Sequence, residues 1–248
     1  MKTVSVPYTL LAVESSAAPA SCAVLRVEES GQTLLCEAAV NTKLTHSQTL
    51  LPMITDMLKN AGLTLADIDA LAVAAGPGSF TGVRIGVAAV KGLAFADDRP
   101  CVGVSTLEGM AQRFSGVPFT GRILTAMDAR CKQIYTALFA CENGVITRLT
   151  PDEALPLTEV RDRLVGNDVP TVVIGDGAEL CVAELQVDVP SLTLAPVGLR
   201  FQHAAGVARA AVPLFADGQA VSGEQLLPIY LRLPQAQREL RLRQNKEA

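Results

Sequence analysis

The sequence predicts an α/β fold built from two duplicated lobes. The predicted elements repeat: each half runs strand, turn, strand, strand, and then helix, strand, glycine-rich turn, helix. An acidic residue ends the first strand of each half, Glu14 in one and Asp128 in the other. A glycine pair follows a later strand in each half, Gly76 with Gly78 and Gly175 with Gly177. The two glycine pairs are separated along the chain by nearly as many residues as the two acids are. We therefore expect an N-terminal lobe over 1–120, a C-terminal lobe over 121–234 and a polar tail over 235–248.

Short apolar runs bounded by glycine and polar residues predict the strands of the first lobe, and longer amphipathic runs predict its helices. The strands are predicted over 10–14, 22–27, 34–40, 71–75 and 101–104. The helices are predicted over 46–60, with Thr45 as N-cap and Gly62 as stop, and over 81–96 and 106–114.

The same patterns continue through the second lobe. Strands are predicted over 123–127, 134–140, 145–149 and 171–174, with Asn143-Gly144 as a hairpin turn. Helices are predicted over 157–165 and 178–185.

Composition is that of a globular protein, with 49% hydrophobic and 19% charged residues in a chain of 248. The formal net charge is −4, and the chain has no Trp, three Tyr and seven Phe. Proteins that hold tRNA by themselves need a basic surface for the phosphates and aromatic side chains for the bases. This composition argues against such a role, and any contact with RNA is expected to be indirect.

The six cysteines lie among apolar residues with no Cys-x-x-Cys spacing, which indicates reduced core cysteines rather than a zinc site or disulfides. The N-terminal apolar run over 10–13 is too short for a signal peptide and reads as a buried strand. No stretch has the ~18 consecutive apolar residues of a membrane span. We expect a cytoplasmic protein with no membrane association.

The most informative segment is Gly76–Gly86, Gly-Pro-Gly-Ser-Phe-Thr-Gly-Val-Arg-Ile-Gly, which follows a strand and opens a helix. Backbone N–H groups at such a junction can bind an anion. The dinucleotide fingerprint fails because Thr81 stands where its third glycine is required, and neither a Walker A lysine nor a nucleophile elbow around Ser79 is present. The alternative is that the glycines only permit a tight turn and close helix packing.

As a string, this segment resembles the signature of the TsaB (YeaZ) family. Further similar stretches cover most of the chain, at 11–16, 46–52, 103–109, 128–135 and 228–232. The two acid-ended hairpins also resemble the actin, Hsp70 and sugar-kinase superfamily, whose hairpins clasp nucleotide phosphates.

The resemblance implies a function in tRNA modification. TsaB-type proteins work with a catalytic sister, TsaD, and an ATPase, TsaE. Together these proteins transfer threonylcarbamoyl from its adenylate to N6 of the adenosine 3′-adjacent to the anticodon in tRNAs that read codons beginning with A. The chain is then expected to be an accessory subunit that binds and activates a TsaD-type protein.

Because the sequence departs from the family pattern at two positions, we expect its nucleotide cleft to be vestigial. Glu14 stands where the family usually has Asp, and Lys132-Gln133 replaces Gly-Glu, which puts a long cation where backbone would approach a phosphate. No cofactor is expected. The predicted cleft residues are Glu14, Ser15, Gly76, Gly78, Ser79, Asp128, Gly175 and Gly177.

No catalytic or metal-binding residue is predicted. The catalytic sister carries a metal-binding His-Leu-Glu-Gly-His, and the matching residues here run from Thr106 to Met110, so both ligand positions are lost. The chain has only two histidines, His46 and His203. The alternatives are an actin-like small-molecule kinase or ATPase and a metal-dependent hydrolase.

The first two helices are the predicted interface, because between Val83 and Ala96 the only charges are Arg84 and Lys91. Small residues every fourth position either pack on the chain's own sheet or meet a partner's helices; the family resemblance favours the partner, with a homodimer possible through the same helices. Leu at Gly86 is then expected to weaken partner binding more than folding. The predicted interface residues are Leu50, Leu51, Ile54, Met57, Leu58, Arg84, Ile85, Gly86, Ala89, Val90 and Leu93.

Overall fold

The computed structural model describes residues 4–232, so the predicted polar tail lies outside the described residues. The first lobe contains a five-stranded sheet in the order β3-β2-β1-β4-β5. The first three strands are antiparallel neighbours, and β1, β4 and β5 are parallel. The strands are β1 (Tyr8–Glu14), β2 (Ala20–Glu28), β3 (Gly31–Val40), β4 (Ala70–Gly76) and β5 (Cys101–Ser105).

The second sheet repeats this order as β8-β7-β6-β10-β11, with β9 added beside β7. Strand β6 takes the place of β1, and β10 that of β4, with the same parallel and antiparallel pairings. The predicted duplicated α/β fold is therefore confirmed. The strands are β6 (Thr120–Asp128), β7 (Gln133–Glu142), β8 (Val145–Arg148), β9 (Glu153–Pro156), β10 (Thr171–Ile174) and β11 (Leu192–Leu194).

The helices agree with the sequence where amphipathic spacing is strong. The predicted helix over 46–60 is confirmed at both ends, and the Thr45 N–H donates to Gln48 Oε1 at 3.2 Å in a capping box. The predicted helix over 106–114 divides into an α-helix and a 3₁₀ turn, Gln112–Phe114. The helices are α1 (His46–Asn60), α2 (Phe80–Phe95), α3 (Thr106–Ala111), α4 (Leu157–Leu164), α5 (Ala178–Leu185), α6 (Val197–Arg200) and α7 (Ala204–Ala216).

Four elements were not predicted: β9, β11, α6 and α7. The two strands are three or four residues long, and α6 is a single turn. Helix α7 is long but alanine-rich, and Arg209 is its only polar residue, so it has no polar face from which a helical period could be recognised. In the part of the chain that the structure describes, no helix has the length and apolar character to cross a membrane.

Each sheet is covered on both faces, and the two lobes exchange a helix. Helices α1 and α2 cover one face of the first sheet, and α7, from the second half of the chain, covers the other. Helix α3, from the first half, packs on the second sheet opposite α4 and α5. The lobes therefore share their core through α3 and α7, and a domain boundary at residue 120 stays a prediction.

The cysteines mostly fit the prediction of buried thiols. Cys22, Cys101, Cys141 and Cys181 are buried and free. Burial raises the pKa of the Cys22, Cys101 and Cys181 thiols to about 12, so they stay protonated at neutral pH. Cys131 departs from the prediction: it is exposed in the β6–β7 turn.

The two exchanged helices cross at glycines. A Cβ on Gly206 of α7 would collide with the carbonyl oxygen of Gly109 in α3, and a Cβ on Gly109 would lie 3.1 Å from Val207 Cγ2. The crossing thus brings backbone against backbone, which no larger residue permits at position 206.

Gly206→Ala should lower the free energy of unfolding by about 1–3 kcal/mol, because the added methyl forces α3 and α7 apart. Chemical denaturation of the purified chain measures the loss. Gly198→Ala is the matched control, since nothing lies within 4 Å of its Cβ position. Equal stability of the two variants would contradict the close crossing.

Candidate functional site

A cleft of about 670 Å³ lies between the two hairpin turns. Of the eight predicted cleft residues, Gly78, Ser79 and Asp128 line it, and the other five do not. The sequence missed the contribution of the C-terminal segment. The lining residues are Ser16–Ala18, Pro77–Thr81, Met127–Arg130, Tyr135, Asp176 and Ile229–Arg232.

The first wall forms where the β1–β2 turn packs against the glycine-rich segment. The Ser79 N–H donates to the Ser16 carbonyl at 2.6 Å, and a Cβ on Gly78 would lie 2.5 Å from that same oxygen. The Ser15 hydroxyl donates to the Gly82 carbonyl at 2.9 Å, and a Cβ on Gly82 would collide with the Ser15 carbonyl. The packing alternative for these glycines therefore has direct structural support.

The remaining predicted cleft glycines also make room for the chain's own backbone. A Cβ on Gly76 would collide with the Ile229 carbonyl, and one on Gly175 with the Ala126 carbonyl. At Gly177, a Cβ would lie 2.9 Å from the Asp128 nitrogen. These three glycines therefore allow close backbone packing beside the cleft.

The acids of the cleft region are bound to neighbouring backbone. Glu14, only 1% exposed, accepts the Ser16 N–H at 2.6 Å, and burial raises the pKa of its carboxyl to about 7. Burial also raises the pKa of Asp176, whose Oδ1 accepts the Asp128 N–H at 3.4 Å. Asp128 itself accepts the Arg130 N–H at 2.7 Å and so caps its own turn.

The β6–β7 turn has an unusual backbone. Arg130, Cys131 and Lys132 have φ values of 66°, 56° and 54°, a left-handed run that favours glycine. The expectation that Lys132 enters the phosphate region is wrong: its ammonium lies 3.2 Å from Glu184 of α5, and Arg130 lines the cleft instead. The ion pair with Glu184 explains why the Lys132 side chain points to α5 and away from the cleft.

The segment matching the sister's metal site is part of the core. Thr106 and Met110 are buried. Glu108 lies 2.9 Å from Arg148, and Arg148 also donates to Asp152 at 2.7 Å. Within residues 4–232, no group of three or more His, Cys, Asp or Glu side chains is placed to hold a metal ion.

The two histidines contact different parts of the chain. His46 Nε2 is 2.8 Å from the Ala17 carbonyl, which ties α1 to the β1–β2 turn. His203 is the N-cap residue of α7 and its Nδ1 lies 3.3 Å from Glu37 Oε1. Each histidine therefore has a structural contact with a distant part of the chain.

The C-terminal segment, Ile229–Arg232, crosses from one lobe to the other along the cleft. The Ile229 N–H donates to the Ala75 carbonyl at 2.7 Å, and Arg232 Nη1 donates to the Ala129 carbonyl at 2.6 Å. Tyr230, between them, accepts a 2.7 Å hydrogen bond from Arg84 Nε. The sequence marked 228–232 as similar to a family signature but offered no structural role for it.

The predicted interface residues divide between core and surface. Leu50, Ile54, Met57, Leu58, Gly86 and Val90 are buried within their own lobe. A Cβ on Gly86 would collide with the Ser15 hydroxyl. Gly86 therefore faces inward, not toward a partner, together with the other buried residues of its row, Gly82, Val90 and Ala94. Leu51, Arg84, Ile85, Ala89 and Leu93 remain at least partly exposed.

An apolar surface runs along the outer sides of α1 and α2. Leu51 is 48% exposed and Phe95 89% exposed, and nothing lies within 4 Å of a Cβ on Gly92. We call this surface the α1–α2 face. Its residues are Leu51, Ile85, Ala88, Ala89, Gly92, Leu93 and Phe95.

Two lobes of equal topology around one cleft define a protein of the actin, Hsp70 and sugar-kinase class. The family model for TsaD, tRNA N6-adenosine threonylcarbamoyltransferase, matches residues 40–164. The chain is 33% identical over 92% of its length to the tRNA threonylcarbamoyladenosine biosynthesis protein TsaB of Bacillus subtilis, covering 96% of that protein. It is 36% identical to TsaB of Escherichia coli, over 75% of this chain and 80% of that one.

Among solved structures, YeaZ from Pseudomonas aeruginosa superposes with a TM-score of 0.72 at 32% identity, over 90% of this chain and all of that one. The chain belongs to the TsaB (YeaZ) family.

Glu14 should make stability depend on pH. The folded state keeps its proton up to about pH 7, whereas the unfolded chain releases it near 4.5, so the free energy of unfolding should fall by up to about 3 kcal/mol across that window and then level off. Asp176, with its raised pKa, acts in the same direction. Denaturation curves from pH 4.5 to 8 measure this slope, and Glu14→Gln should flatten it.

Glu37 provides a contrast of opposite sign. Burial works against its ionisation, but hydrogen bonds from His203 and Ala205 hold the pKa of its carboxyl below the usual value. Its contribution to stability is therefore present at neutral pH and lost as pH falls, and Glu37→Gln should lower the free energy of unfolding at pH 7.

For the Glu14 prediction, a pH dependence of stability that is the same in Glu14→Gln as in the wild type would show that Glu14 is ionised in the folded state.

Proposed function

We propose that this chain acts in the biosynthesis of threonylcarbamoyladenosine in tRNA, as a non-catalytic subunit that binds a TsaD-type catalytic subunit. The names of its TsaB relatives support the pathway. The exposed α1–α2 face is the observation that supports binding of a TsaD-type subunit. We further propose a TsaE-type ATPase as a third component, indirect contact with tRNA, a cytoplasmic location, and a homodimer that uses the same face when TsaD is not bound.

The α1–α2 face has the character of a helix-packing surface. Large side chains stand at its margins, Leu51 on α1 and Phe95 at the end of α2. Small residues, Ala88 and Gly92, lie between them along α2. Small residues let a partner helix approach closely, and the apolar margins supply buried area on binding. A pair of helices from another chain would complete a four-helix arrangement.

The absence of catalysis is proposed from how the acids are used. A carboxyl group that acts on a bound substrate, as an acid or as a base, must be able to reach it. Glu14 is 1% exposed and accepts the Ser16 N–H, and Asp128 caps its own turn. Glu108 is engaged by Arg148. A contribution through the partner's conformation, by preferential binding to its active state, fits this arrangement better than an acid or base of its own.

Gly92→Leu should weaken binding to the TsaD-type subunit at least tenfold while leaving the melting temperature unchanged or raised, because the side chain meets open space in the monomer and improves helix propensity. Gly86→Leu should do the reverse and destabilise the fold, since it collides with Ser15. Calorimetric titration beside thermal melting separates the two. Normal binding by Gly92→Leu would remove α2 from the interface.

Depletion of this protein from its cell should abolish threonylcarbamoyladenosine in tRNA, as measured by mass spectrometry of nucleosides. Restored variants Glu14→Ala, His46→Ala, Glu108→Ala and Asp128→Ala should each support substantial modification wherever the variant is folded. A folded, partner-binding variant with no modification would restore a catalytic role. Unchanged nucleoside levels after depletion would refute the proposed pathway.

A further inference from the structure

Arg84 is held in a fixed position at the edge of the α1–α2 face. Its guanidinium carbon lies 3.8 Å from the centre of the Phe80 ring and 5.8 Å from that of Tyr230. Its Nε donates to the Tyr230 hydroxyl at 2.7 Å, and the two rings lie 5.3 Å apart. A flexible side chain is thereby ordered before any partner arrives.

This ordering leaves the other edge of the guanidinium available. Within residues 4–232, Arg84 makes no ion pair, and its one side-chain hydrogen bond uses Nε. The two Nη groups form a planar pair of donors that matches the two oxygens of a carboxylate. Because the stack has already restricted the side chain, little conformational entropy remains to be lost on binding.

We propose that Arg84 is the charged anchor of the partner interface, and that the bound subunit places an Asp or Glu carboxylate against its Nη groups. The inference rests on the proposed function in taking a TsaD-type subunit as the partner. Arginine and tyrosine beside an apolar patch are the residues most often found as interaction hot spots. Phe80, Arg84 and Tyr230 form such a group next to the small residues of α2.

A carboxylate is favoured over an RNA phosphate by the surroundings of Arg84. Binding to a nucleic-acid backbone depends on several cations acting together. Lys91 is the only other charged residue between Val83 and Ala96, and the whole chain has a net charge of −4, so the cations near Arg84 are few. One ordered arginine beside an apolar surface suits a single ion pair between proteins.

Calorimetric titration of the full-length chain with the TsaD-type subunit of the same organism tests the anchor. Arg84→Gln should raise the Kd about 30-fold or more, and Arg84→Lys about tenfold, because lysine keeps the charge but loses the paired donors. Tyr230→Phe should have a smaller effect in the same direction. Arg161→Gln, an exposed arginine paired with Asp162 on α4, is the matched control and should bind normally.

The salt dependence identifies the contact as ionic. Wild-type affinity should fall as salt rises, and Arg84→Gln should show a shallower slope. If the wild type binds and Arg84→Gln binds within threefold of it, the anchor is refuted while the proposed function stands; if the wild type does not bind at all, the proposed function fails first.

Two further outcomes would also overturn the anchor. A loss of affinity that appears only when tRNA is present would identify a phosphate as the ligand. A large fall in the melting temperature of free Arg84→Gln, with a loss of affinity that Arg84→Lys restores no better than Tyr230→Phe does, would assign Arg84 to the stack with Phe80 and Tyr230 and not to a partner carboxylate.

Discussion

The contact between the β1–β2 turn and the start of α2 is the constraint on which the rest of the structure depends. The Ser15–Ser16 backbone lies directly on Gly78 and Gly82, with no side chain between them. This contact sets how α2 sits on the sheet and forms one wall of the cleft. It also leaves the opposite side of α2 uncovered, between α1 and the C-terminal segment. The same contact between the β1–β2 turn and α2 therefore determines both the cleft wall and the exposed helix face.

Small residues serve two purposes on α2, and only the folded chain distinguishes them. Gly82 and Gly86 face inward, where the chain's own backbone and Ser15 fill the space. Gly92 faces outward with open space around it. Both rows repeat every fourth residue, so periodicity detects them equally and cannot give their direction. The sequence therefore predicted α1 and α2 as interface helices but assigned Gly86 and Val90 of the inner row to a partner.

What the sequence predicted well is what local patterns encode. The ends of α1 follow from a capping box and an amphipathic repeat, and the paired acids Glu14 and Asp128 reveal the duplication. What it missed depends on contacts distant in the chain. The exchange of α3 and α7 between lobes joins residues about a hundred positions apart, and α7 has no polar face. Three of the eight predicted cleft residues line the cleft, and most of the predicted glycines serve packing that only the neighbouring backbone reveals.

The C-terminal segment connects the cleft to the helix face by two kinds of contact. Its ends are held through the backbone carbonyls of Ala75 and Ala129, one in each lobe, and these bonds tolerate changes of the accepting side chains. Its middle is held by Tyr230, whose bond to Arg84 depends on both side chains. Tyr230 therefore lies between an anchor in each lobe and contacts the guanidinium beside the α1–α2 face. The position of the guanidinium beside the α1–α2 face is thus tied to a segment that is anchored in both lobes.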